Sequence, residues 1–111
     1  MTPWGAIEQI LDKRGWTLQT AGGSCPFQLE ATHEPSNSAL YFRARGQHAS
    51  LDIGTNLGLD KEQYFYRIDE EFAEAIRSWK YPWAGYVIED PDVLSLAFWM
   101  LFSEAIEQGM V

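Results

Sequence analysis

The chain has 111 residues, 46% of them apolar and 14% aromatic, enough to fill one interior and too many for a disordered chain. Sixteen carboxylates against eight lysines and arginines give a formal net charge of -8, a field that repels nucleic acid and anionic membrane and attracts basic partners. A lone cysteine, Cys25, excludes an internal disulfide framework, so the fold has to be held by packing.

Met1 to Gly5 carries no basic or apolar leader pattern, and Glu8, Asp12, Lys13 and Arg14 follow at once, so no signal peptide is expected. The first helix is predicted from Pro3 to Arg14. Thr2 suits its cap, Pro3 its first position and Gly15 its stop. Trp4, Ile7, Ile10 and Leu11 recur at three- and four-residue spacing and form one apolar stripe.

A strand is predicted at Trp16 to Thr20, a turn at Ala21 to Ser24, a strand at Phe27 to Thr32 and a loop at His33 to Asn37. The clearest pattern comes next. Leu40, Phe42 and Ala44 alternate with Tyr41, Arg43 and Arg45, and Ala49, Leu51 and Ile53 alternate with His48, Ser50 and Asp52. A two-residue type II′ turn at Gly46-Gln47 then pairs Arg45 with His48, Phe42 with Leu51 and Leu40 with Ile53. This register puts every apolar residue on one face, and a slip of one residue would reverse that.

Residues 60–79 read two ways. Phe65, Ile68, Phe72, Ala75, Ile76 and Trp79 fit a helical stripe, and Asp60 with Gln63 resembles a helix-start box. Tyr64 to Ile68, however, has the composition of a strand. The reading favours helix for 60–68 and places a helix at 70–79. After an aromatic connector at 79–86, a last helix is predicted from Pro91 to Gln108, capped by Asp90 and stopped by Gly109. From Val93 to Phe102 its apolar residues cover almost the whole circumference, so it is buried on most sides or docks a partner. That run is far shorter than the roughly 20 residues a membrane span needs.

The expected fold class is α+β, as one domain: an N-terminal helix, an antiparallel sheet of three or four strands and two C-terminal helices packed on one face. The expected core is Ile10, Leu29, Leu40, Phe42, Leu51, Ile53, Phe72, Ile76, Leu94, Phe98 and Leu101.

Few residues carry chemistry. Cys25 with His33 or His48 and Asp52 offers the residue types of a nucleophilic triad, but any chain with one cysteine and two histidines does so. None of the usual metal-ligand spacings occurs, and Gly22-Gly23-Ser24 lacks the following helix that a phosphate cradle requires. No catalytic residue, metal or cofactor is therefore expected. On the polar sheet face, Glu30, Tyr41 and Asp52 align in one cross-strand row and Gln28, Arg43 and Ser50 in the next, with Arg45 beyond them. That face is a candidate small-molecule or enzyme site, with the arginines as forks for a carboxylate or phosphate.

The charge is uneven. Residues 1–59 hold five acids against four cations, and residues 60–111 hold eleven against four. Asp69, Glu70, Glu71 and Glu74 on one helix, with Trp79, Lys80, Tyr81 and Trp83 in the connector, are the candidate contacts for a basic protein partner. Direct nucleic-acid binding, a membrane role and an enzymatic activity are not favoured. The expected function is that of a non-catalytic, cytoplasmic protein-binding module, an inhibitor occluding a basic toxin or nuclease. The alternatives are a ligand-binding sheet face and a homodimer or complex subunit using the last helix. In general character, though through no specific residues, the chain resembles bacterial immunity proteins and phage-encoded inhibitors.

Overall fold

The first helix, α1 (Gly5–Lys13), lays Ile7 and Leu11 on the sheet, with Trp4 and Ile10 packed at the margin of the same stripe. It begins later than the expected Pro3: Trp4 stands at the N-cap, without a side-chain cap bond. At its other end Gly15 takes φ +81, the Gly15 amide donates to the Asp12 carbonyl and the Trp16 amide to the Leu11 carbonyl. This pair of bonds is a Schellman stop, which uses glycine because a Cβ is costly at positive φ. The computed structural model describes residues 4–23, 26–45, 48–55, 63–71 and 91–110.

Five strands follow: β1 (Thr17–Gly22), β2 (Phe27–His33), β3 (Ser38–Arg45), β4 (His48–Thr55) and β5 (Gln63–Glu71). They form one antiparallel sheet in the order β1-β2-β3-β4-β5. A meander of this kind needs only short connections between neighbours. The expected register of the central hairpin is the observed one, from Leu40 opposite Ile53 to Arg45 opposite His48. The turn residues Gly46 and Gln47 lie outside the described residues.

Two expectations are corrected. The sheet has five strands rather than three or four, and 63–68 is strand, not helix. The reason is non-local. Every residue of β4 from Ala49 to Gly54 is buried, the signature of a strand paired on both edges, and the Tyr64 to Ile68 segment supplies the second partner. The reading of 70–79 as a helix fails at its start, because Glu70 and Glu71 belong to β5. Residues 72–79 lie outside the described residues, as do Phe72 and Ile76 of the expected core. A smaller difference is that β1 runs on through Ala21 and Gly22, where a turn was expected.

The C-terminal helix, α2 (Pro91–Glu107), ends as α1 does. Gly109 has φ +75, its amide donates to the Ile106 carbonyl, and the Met110 amide donates to the Ala105 carbonyl. Leu94, Ala97, Phe98, Leu101, Phe102 and Ala105 of α2 are fully buried against Phe27, Leu29, Leu40, Phe42, Leu51 and Ile53 of the sheet. A run of rings links the layers. Phe27 meets Phe42 edge-on, Phe42 meets Phe98 edge-on at 5.2 Å, Phe98 stacks on Phe102, and Phe102 reaches Trp16. Burying each such ring contributes about 1.5–3 kcal/mol, so this row is the main cohesive element between helices and sheet.

Candidate functional site

The polar face of the sheet is built by the pairing itself. Alternation along each strand sends Gln28, Glu30, Tyr41, Arg43, His48, Ser50, Asp52 and Arg67 to the side away from the helices. Both expected rows are present, and β5 extends them. Glu30, Tyr41, Asp52 and Arg67 occupy one row of the register, and Gln28, Arg43, Ser50 and Asp69 occupy the next. Arg45 closes the face opposite His48, which in turn stands opposite Glu71.

This network is largely self-satisfied. The Tyr41 hydroxyl donates to Gln28 Oε1 at 2.9 Å, and Arg67 Nη1 lies 3.7 Å from Asp52 Oδ1. Ser50 and Asp52 are buried although polar, and no buried side-chain donor or acceptor among the described residues lacks a partner. Burial raises the Tyr41 pKa. Arg43 opposes that rise, the Glu30 and Asp52 carboxylates add to it, and Arg67 opposes it. Tyr41 is therefore a protonated donor at neutral pH and Asp52 a carboxylate with a cation beside it. These are the properties of a structural polar layer or of a recognition face, not of an activated nucleophile.

A triad does not assemble from the residues described. His33 pairs with Ser38 at one end of β3 and His48 with Arg45 at the other, seven residues apart or roughly 23 Å at strand spacing. Asp52 lies between them, opposite Tyr41, and His33 falls on the helix-covered side against Trp16. Cys25 is outside the described residues. Among those residues no group of three or more His, Cys, Asp or Glu side chains is placed to hold a metal ion, and no helix is long and apolar enough to cross a membrane.

The acidic candidates are not gathered on a helix. Asp69, Glu70 and Glu71 are consecutive positions of β5, opposite Ser50, Ala49 and His48. Successive strand residues alternate between faces, so the three cannot form the single acidic stripe that helical spacing would have produced. Glu74, Trp79, Lys80, Tyr81 and Trp83 lie outside the described residues.

The surface left open is on α2. Leu96, Trp99 and Met100 are 41%, 43% and 38% exposed, the large apolar side chains that remain in solvent among the described residues. Their spacing of three and four puts them on one stripe, which continues through half-buried Ser103 to the exposed carboxylates Glu104 and Glu107. The apolar circumference of this helix marked it as buried or docking. Which of its rings would stay outside was not visible locally, because Phe98 and Trp99 are neighbours of equal character and only their angle to the sheet separates them.

A second feature lies at the end of α1. Lys13, Arg14, Trp16, His33 and Ser36 line a cleft of about 340 Å³ between the helix stop and the β2–β3 turn. A neighbouring recess of about 420 Å³ is lined by Glu8, Gln9, Asp12, Trp16, Thr17 and Leu18. Neither draws on the polar sheet face.

No family model, curated protein or solved structure matches this chain.

Proposed function

We propose that the chain is a non-catalytic protein-binding module that docks a basic partner on the outer stripe of α2. The observation that carries this reading is the continuous run from Leu96, Trp99 and Met100 into Glu104 and Glu107. An exposed tryptophan beside two aliphatic side chains is the composition of an interface anchor, and a charged rim steers a partner of opposite sign. The net charge of -8 supplies a long-range field of the same sign. The charge of -8 carried by each copy opposes self-association.

The test is comparative. Wild type and Trp99→Ala are used as baits in the source cell, and a protein retained by wild type alone is purified and its affinity measured with both. The reading expects a partner of basic pI, an affinity that falls steeply between 50 and 500 mM salt (about a threefold shortening of the screening length) and a loss of at least roughly 2 kcal/mol for Trp99→Ala. A complex insensitive to both salt and Trp99 would overturn it.

A further inference from the structure

We infer that the cleft between the end of α1 and the β2–β3 turn is a binding site for a small oxyanion-bearing ligand, a carboxylate or a phosphate. Lys13 and Arg14 are two of only four cations in residues 1–59, they are adjacent in sequence, and the chain turns back at Gly15 so that both line one cleft with His33. Among the described residues neither takes part in an ion pair. In a chain of net charge -8, two adjacent cations facing a shared cavity are an exception to the surrounding field.

The walls of the cleft are fixed rather than loose. Arg14 is held with its guanidinium 5.9 Å from the centre of the Phe102 ring, which anchors its stem to the core. The His33 ring packs against Trp16 at 5.2 Å. Its Nδ1 lies 2.7 Å from Ser36 Oγ, which donates to Ser38 Oγ at 2.8 Å, and Ser38 Oγ donates to the Ser36 carbonyl. The Ser36 contact fixes the ring through Nδ1 and leaves Nε2 on the side of Gly15. A Cβ on Gly15 would approach Nε2 to 3.4 Å, so glycine at 15 leaves room there as well as serving the helix stop. The cleft volume is at the lower end of small-ligand sites, which limits the ligand to a small molecule or a single side-chain-sized group.

Lysine and arginine at the C-terminal end of a helix also offset its dipole, and that role predicts no ligand. Titration separates the two. Inorganic phosphate and, in a parallel arm, acetate are added to the full chain at constant ionic strength, and the amide and imidazole resonances are followed by NMR. The inference expects saturable shifts confined to residues 13–16 and 33–36, and at least a tenfold weaker affinity in a Lys13→Gln/Arg14→Gln variant. Lys13→Gln alone, at an exposed position, gives the same direction of change if the double variant fails to fold. Saturation by phosphate alone assigns a phosphate ligand, and saturation by acetate a carboxylate. Linear, unsaturable drift in both arms, or unchanged affinity in the variants, leaves only dipole compensation and overturns the site. This outcome is independent of whether Trp99 binds a protein partner.

Discussion

The polar face of the sheet, where Ser50 and Asp52 are buried and Tyr41 and Arg43 half-buried, and the outer stripe of α2, which stands in solvent, meet water in opposite ways. On the sheet face polar groups meet across strands, Tyr41 with Gln28 and Asp52 with Arg67, and no buried side-chain donor or acceptor among the described residues lacks a partner. On α2, Leu96, Trp99 and Met100 have neither water-compatible chemistry nor a covering layer among the described residues. The sheet face looks richer in function because it holds the charged and titratable groups. Yet a face whose donors and acceptors already satisfy one another gains little from a ligand, whereas apolar surface left in water gains on every contact. Surplus exposure is the better guide to where a partner binds.

The sharpest way to break this contrast uses two consecutive residues of α2. Phe98 stacks on Phe102 and meets Phe42 edge-on with no exposure, so Phe98→Ala should cost about 3–5 kcal/mol in urea unfolding. Trp99→Ala should cost less, no more than about 1–2 kcal/mol, because Trp99 is 43% exposed and removal of its ring leaves no enclosed cavity. If Trp99→Ala were as damaging as Phe98→Ala, the stripe would be part of the core and no docking face would remain.

A second comparison keeps the stripe and disturbs the helix beneath it. Gly109 closes α2 at φ +75 with open space where a Cβ would stand, and Gly15 closes α1 at φ +81 with His33 close by. Alanine at either should cost roughly 1–2 kcal/mol from the left-handed backbone. Gly109→Ala should lower the melting temperature and leave partner affinity unchanged, while Gly15→Ala should lower it and also perturb the His33 imidazole resonance. A change in partner affinity from Gly109→Ala would place the binding surface at the helix end rather than on the stripe.

How far these features could be read in advance follows from the range of the forces that set them. The β3–β4 register is written in a two-residue alternation, so Leu40 to Asp52 could be placed pair by pair. The glycines at 15 and 109 likewise mark their stops by local backbone chemistry. By contrast, Phe65 and Ile68 fit a helical stripe while Tyr64 to Ile68 has the composition of a strand, and the deciding partner is the free edge of β4, about ten or more residues away. The same holds for Asp69, Glu70 and Glu71, whose distribution over two faces depends on that choice. Trp99 and Phe98 are told apart only by the way α2 lies on the sheet. Lys13 and His33 meet only after a helix stop and a strand pair have formed, so no window of sequence contains their cleft.

The smallest expected effect tests whether the sheet face is as self-satisfied as it looks. Tyr41→Phe removes the hydroxyl that donates to Gln28 and should cost about 0.5–1.5 kcal/mol at pH 7. Its pH dependence is more telling. Burial, with the Glu30 and Asp52 carboxylates nearby, raises the Tyr41 pKa above its unfolded value of about 10. A raised folded pKa means that the unfolded chain releases this proton first as pH climbs. The contribution of the neutral phenol is therefore fully present below about pH 10 and is lost as pH rises through the folded-state value. The stability gap between wild type and Tyr41→Phe should be constant from neutral pH up to about 9 and then narrow, with the other tyrosines cancelling in the difference. A gap that stays flat through about pH 11 would mean that Tyr41 ionises as freely folded as unfolded, and that this face is wet enough to bind a ligand after all.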